Sequence, residues 1–264
     1  MVIENRYPLD NTYMPVIRFG TGPHSLVILS GVSLCGLEGH GEGVAKAYAQ
    51  FADDYTVYLF DRKKDLPSGY HVEDMAEDVY RILSQLGIMT ADVYGVSQGG
   101  MMAQCLALRH PDFVRRLVLC STLCRANDTM RSAVSQWLKY AKEADVVGLN
   151  RCFFRQVYSP GFLEQVSDLL PAMEQIGTPE DCARFAILAQ ACADFDVSDA
   201  VSSIRCPTLV LGDTNDQVTG PDGSHELAQR IGCEYFLYDQ YSHAVYDEAA
   251  DLKARIYQFL SRAE

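Results

Sequence analysis

The 264-residue sequence predicts an α/β fold, a mostly parallel, doubly wound sheet with an inserted helical cap. Three observations predict it. Short β-branched runs alternate with helical patterns through the first half of the chain, strand character vanishes over residues 124–199, and it returns afterwards. Residues 1–123 and 200–264 are therefore expected to complete one sheet, with 124–199 lying over one edge of it.

The strand-sized runs of the first half are residues 15–19, 26–30, 55–60, 92–95 and 117–121. Between them, 43–51, 72–86 and 98–109 carry helical patterns. In 72–86, Met75, Val79, Ile82, Leu83 and Leu86 recur at helical spacing and mark one buried face. Strands separated by helices pair in parallel, because a parallel pair needs a long crossover connection. The insertion reads as helices over 132–147, 149–158, 160–176 and 179–195. It holds the sole tryptophan, Trp137, with Tyr140, Phe153, Phe154, Tyr158 and Phe185. Strands return at 208–212 and 234–238, a short polar helix follows Pro221, and a helix over 246–260 closes the chain.

Composition narrows the function classes. With 48% hydrophobic and 22% charged residues, the chain has ample material for a core. No apolar run approaches the ~20 residues of a bilayer span, and the N-terminus lacks the pattern of a secretory signal. A net charge of −13 disfavours nucleic acid and anionic membranes, since the adjacent pairs Lys63-Lys64 and Arg115-Arg116 make no basic patch. Nine cysteines, without a CxxC pair or a Cys/His ligand spacing, read as reduced thiols in a cytoplasmic protein that needs no metal.

Chemistry concentrates in Gly95-Val96-Ser97-Gln98-Gly99. The motif follows the strand at 92–95 and opens the helix at 98–109, the strand–turn–helix setting of a nucleophilic serine. Glycines are needed there because the serine occupies a strained turn pressed against neighbouring backbone. A serine hydroxyl also needs a general base, and the base an orienting acid. Of six histidines, His243 alone lies in the loop between the last strand and the last helix, where a base could reach Ser97. For the acid, Asp213 and Asp216 both follow the strand at 208–212, and Asp128 is a third candidate. Asp216 is preferred, with Asp213 capping the turn.

These residues, with several others in order, resemble the α/β-hydrolase superfamily, in its branch of helical-cap esterases, lactonases and carbon–carbon bond hydrolases. The matching stations are Leu26 to Gly31, Phe60-Asp61-Arg62, Asp74 to Asp78, the serine motif, Pro111 to Leu119, Ile204 to Gly212 with Asp216, and Ser242-His243. The resemblance implies Ser97 as nucleophile, His243 as base, Asp216 as its orienter, and backbone N–H groups of Val32 and Gln98 as an oxyanion hole. It implies no cofactor. Three departures stand out: Ser30 where the family has His, Lys63-Lys64-Asp65 where many members have Arg-Gly-x-Gly, and Thr219 in place of a common Pro.

The reading that follows is acyl transfer on a small or medium carboxylic ester, with Trp137, Phe153 and Phe154 lining an apolar substrate pocket. Each of those aromatics has a second reading, as packing between cap helices. A lactonase or carbon–carbon hydrolase with the same triad, and a non-catalytic ligand receptor on the same scaffold, are the rivals.

Overall fold

The computed structural model describes residues 1–262. Its sheet contains β1 (Ile3–Leu9), β2 (Thr12–Phe19), β3 (His24–Leu29), β4 (Tyr55–Phe60), β5 (Ala91–Val96), β6 (Val114–Cys120), β7 (Thr208–Asp213) and β8 (Glu234–Tyr238). The spatial order is β1-β2-β4-β3-β5-β6-β7-β8, antiparallel at the β1 edge and parallel from β4 onward. From β3 the next strand, β4, lies to one side and β5 to the other. That reversal opens a crevice above the carboxyl ends of β3 and β5, where a doubly wound sheet binds its ligand.

The helices are α1 (Gly41–Ala47), α2 (Val72–Gln85), α3 (Gln98–Arg109), α4 (Asp128–Lys142), α5 (Val146–Val157), α6 (Pro160–Gln165), α7 (Leu170–Met173), α8 (Pro179–Ala193), α9 (Gly223–Ile231), α10 (Val245–Glu248) and α11 (Leu252–Leu260). Two apolar layers sandwich the sheet. One holds Val27, Val93, Leu117 and Val210 against α2 and α3 and runs on into the inserted helices. The other holds Ile28, Tyr94, Val118 and Leu211 against α11. With both faces covered, every residue of β5 and β7 is buried, Asp92 included.

Helices α4 to α8 occupy the sequence between β6 and β7. The chain leaves and re-enters the sheet side by side: Ala126 N–H donates to Phe195 (2.8 Å) and Val197 N–H to Cys124 (2.8 Å). Several elements depart from expectation. The hairpin strand β1 carries no alternation of buried and exposed positions, so its sequence lacks a strand signal. The helix expected over 160–176 is two short ones, α6 and α7. The helix expected over 246–260 breaks at Ala249, whose extended backbone ends α10 before α11 begins. Among the described residues no helix is long and apolar enough to cross a membrane.

Candidate active site

β5 ends at Val96 and α3 begins at Gln98, which leaves Ser97 alone to make the turn. Its φ of +53° with ψ of −120° is a conformation that side-chain-bearing residues rarely adopt and that costs about 1–3 kcal/mol. Neighbouring structure enforces it. Ser97 N–H donates to the Cys120 carbonyl (2.9 Å), and the Thr122 hydroxyl donates to the Ser97 carbonyl (2.9 Å). Glycine is obligatory at two flanking positions: a Cβ on Gly95 would sit 2.4 Å from the Gly99 carbonyl oxygen, and one on Gly99 1.9 Å from that of Leu29.

The loop after β8 delivers His243 to this turn. With Nδ1–H donating to Asp216 Oδ2 (2.8 Å), Nε2 is left as the acceptor for the Ser97 hydroxyl (2.9 Å). All three side chains are nearly sealed from solvent: Ser97 is 5% exposed, His243 2% and Asp216 3%. The loop is anchored from both sides. Ala244 N–H donates to the last residue of α5, Val157 (2.8 Å), and Tyr241 N–H to Asp213 Oδ2 (2.9 Å).

Asp216 accepts four hydrogen bonds: from the N–H groups of Val218 (2.7 Å) and Thr219 (2.8 Å), the Thr219 hydroxyl (2.6 Å), and His243. Burial alone would push its carboxyl up. The facing imidazole and the Thr219 donors outweigh it and hold the group below the ordinary carboxylate value. Thr219, noted in the sequence only as a departure from proline, thus supplies both a hydroxyl and an N–H that proline would lack.

The other carboxylates take different places. Asp213 accepts from Asn215 N–H (2.7 Å) and Tyr241 N–H, tying the acid turn to the histidine loop. Asp128 begins α4, fully exposed and near Arg131. The remaining histidines lie elsewhere; His71 precedes α2 and His110 stacks on Tyr80.

On the other side of Ser97 runs the loop after β3. A Cβ on Gly31 would come within 3.2 Å of Ser97 Cβ and 3.7 Å of its Oγ, so Gly31 and Val32 pass directly beside the serine. Beyond them a cavity of about 230 Å³ opens between Ser33, Leu34 and Cys35 and the inserted helices, lined by Phe153, Phe154, Tyr158, Met173 and Phe185 among others. Phe153 and Phe154 therefore face a cavity. Trp137 does not line it: at 1% exposure it packs between Phe153 (5.1 Å) and Phe185 (6.0 Å), in the interior of the helical insertion. No sequence signal separates a packing tryptophan from a lining one, because both sit on apolar helix faces.

All nine cysteines are free thiols, and among the described residues no cluster of His, Cys, Asp or Glu is arranged to hold a metal.

Comparison with known proteins identifies the family. The family described as the alpha/beta hydrolase fold matches residues 36–250. A putative carbamate hydrolase, RutD, from Rhizobium rhizogenes is 25% identical over 219 residues, covering 80% of this chain and 84% of that protein. A 3-oxoadipate enol-lactonase from Acinetobacter baylyi is 24% identical, covering 69% and 70% respectively. Among solved structures, the enol-lactonase of Burkholderia xenovorans superposes with a TM-score of 0.85 at 20% identity, over 98% of this chain and 100% of that one. The family match spans most of the chain, and the superposition covers nearly all of it. The chain belongs to the alpha/beta hydrolase fold family.

Proposed function

We propose that this protein is a serine hydrolase that cleaves a small or medium carboxylic ester by two-step acyl transfer. The observation that carries the reading is the relay Asp216–His243–Ser97, at 2.8 and 2.9 Å, ending on a serine held in a strained turn. Ser97 Oγ attacks the carbonyl carbon and gives its proton to His243 Nε2. The negative charge that develops on the carbonyl oxygen is met by the N–H groups of Val32 and Gln98, the latter at the positive end of α3. His243 then protonates the departing alcohol, leaving an acyl group on Ser97. Water, deprotonated by the same imidazole, attacks that acyl group and releases the acid.

The apolar cavity bearing Phe153 and Phe154 takes the acyl portion. Lactone hydrolysis is the second reading; it uses the same steps, and enol-lactonases occur both among the sequence relatives and among the structural neighbours. A cytoplasmic location fits nine thiols left unpaired.

The test is a panel of nitrophenyl esters graded by acyl length, together with lactones, run on wild type and Ser97→Ala. Hydrolysis by wild type and its loss in the variant are expected, with fluorophosphonate labelling at Ser97. A Ser97→Ala protein of full activity would overturn the assignment. A wild-type serine that resists the probe would indicate a binding protein on a hydrolase scaffold.

A further inference from the structure

The loop beside Ser97 lacks the histidine that the family places before Gly31; Ser30 stands there instead. What supports the loop is a buried arginine at the end of the adjacent strand, β4. Arg62 follows β4 and is 2% exposed. Its Nη2 donates to the Ser30 carbonyl (2.6 Å) and to Gln98 Oε1 (2.8 Å), and its Nη1 to the Ser30 hydroxyl (3.1 Å). Gln98 in turn donates from Nε2 to the Leu188 carbonyl (2.6 Å) and the Cys192 sulfur (3.1 Å), both on α8.

This is a costly arrangement for stability alone. The guanidinium is held by neutral acceptors, its Nε–H has no partner among the described residues, and burial pushes its pKa down. Burying a charge that no carboxylate pairs directly is unfavourable, and such sites persist where function requires them. The acceptors explain the requirement. Ser30 lies two residues before Val32, and Gln98 follows the nucleophile. The segment that leads into Val32 and the side chain of Gln98 are therefore fastened to one planar, rigid cation.

We propose that Arg62 is a positioning residue for transition-state binding, setting the separation and aim of the Val32 and Gln98 N–H groups and coupling them to cap helix α8. The inference rests on the acyl-transfer reading above. Arg62 touches no substrate; it acts through Ser30 and Gln98. A second arginine reinforces the same corner from the cap side: Arg184 on α8 donates to the Arg62 carbonyl (3.2 Å) and to Asp61 (3.4 Å). Asp61 also accepts from Leu37 N–H (2.9 Å), which pins the far end of the loop.

The experiment compares wild type, Arg62→Met, Arg62→Lys and Gln98→Met on a nitrophenyl ester, with rates normalised to fluorophosphonate-titrated sites. Displacing the donors by a fraction of an ångström to 1 Å should lower kcat by about 10- to 100-fold in Arg62→Met while KM changes less than about threefold. A trifluoromethyl ketone, whose adduct carries the oxyanion, should lose affinity in step with kcat/KM, whereas the carboxylate product should not. Lysine should recover part of the loss. Gln98→Met cuts the second arm without removing the buried cation and should shift the same ratio, so the idea stands or falls even if Arg62→Met does not fold. Wild-type kcat per titrated site in Arg62→Met, or in Gln98→Met where Arg62→Met does not fold, would overturn it. So would equal loss of ketone and product affinity. An unlabelled wild-type serine would instead sink the acyl-transfer reading, which keeps the two failures distinct.

Discussion

Replacing Gly99 by alanine should cost this protein in both folding and catalysis, and the structure indicates how much. The added Cβ would lie 1.9 Å from the Leu29 carbonyl oxygen and 2.6 Å from that of Ser30, whereas ordinary contact begins near 3.4 Å. Backbone cannot rotate away as a side chain would, so the end of β3 must retreat by about 1.5 Å or α3 must tilt. Overpacking of this kind costs about 1–3 kcal/mol, or more where backbone is struck, and about 1–3 kcal/mol corresponds to a fall of roughly 2–12 °C in Tm for a chain of this size. The segment displaced leads straight to Gly31 and Val32. Misplacement of about 1 Å in a catalytic constellation can cost about 100-fold. The assay pairs thermal denaturation with kcat normalised to fluorophosphonate-titrated sites. Gly43→Ala is the control: nothing lies within 4 Å of its Cβ on α1, so it should stabilise by about 0.5–1 kcal/mol and leave kcat alone. A Gly99→Ala protein with wild-type Tm and kcat would refute the reasoning.

Four further outcomes are expected. Asp216→Asn should lower kcat by about 10⁴-fold by disturbing the tautomer and orientation of His243, with fluorophosphonate labelling slowed in parallel. Because the Asp216 carboxyl is depressed in the folded state, its ionised form contributes stability that is fully present above about pH 4 and is lost as pH falls through the folded value; the stability gap between wild type and Asp216→Asn in urea titrations should therefore narrow on acidification from pH 5 to 3, and a widening gap would reverse the sign. Thr219→Val, which keeps the N–H but removes the hydroxyl donor to Asp216, should cost about 1.5–3 kcal/mol in urea denaturation and lower kcat by less than Asp216→Asn does. Burial pushes the thiols of Cys105, Cys120 and Cys192 up to about 12, so mass spectrometry after iodoacetamide treatment at pH 8 should find them unmodified until urea unfolds the chain.

Where structure depends on neighbours in sequence, the chain was legible. The spans of β4, β8 and α3 follow from residue type and period alone, and the glycines around Ser97 signal a tight turn because few other residues tolerate one. The order serine, acid, histidine along the chain also pointed to Ser97, Asp216 and His243 before any contact was known. β1 stayed hidden because an edge strand with mostly exposed side chains carries no period.

What tertiary structure alone decided concerns groups brought together from distant parts of the chain. A helical pattern shows that Trp137, Phe153 and Phe154 sit on apolar faces; only packing decides that the first is interior and the other two border a cavity. Thr219 and Asp213 carry no motif, yet one fixes the acid and the other ties its turn to the histidine loop. The serine before Gly31 is unremarkable in sequence until Arg62, 32 residues later, is found bonded to it. By itself the sequence determined the sheet with its helical insertion and singled out Ser97, Asp216 and His243 as candidates. The separation, aim and burial of those residues are set by contacts across the sheet, which local periodicity does not encode.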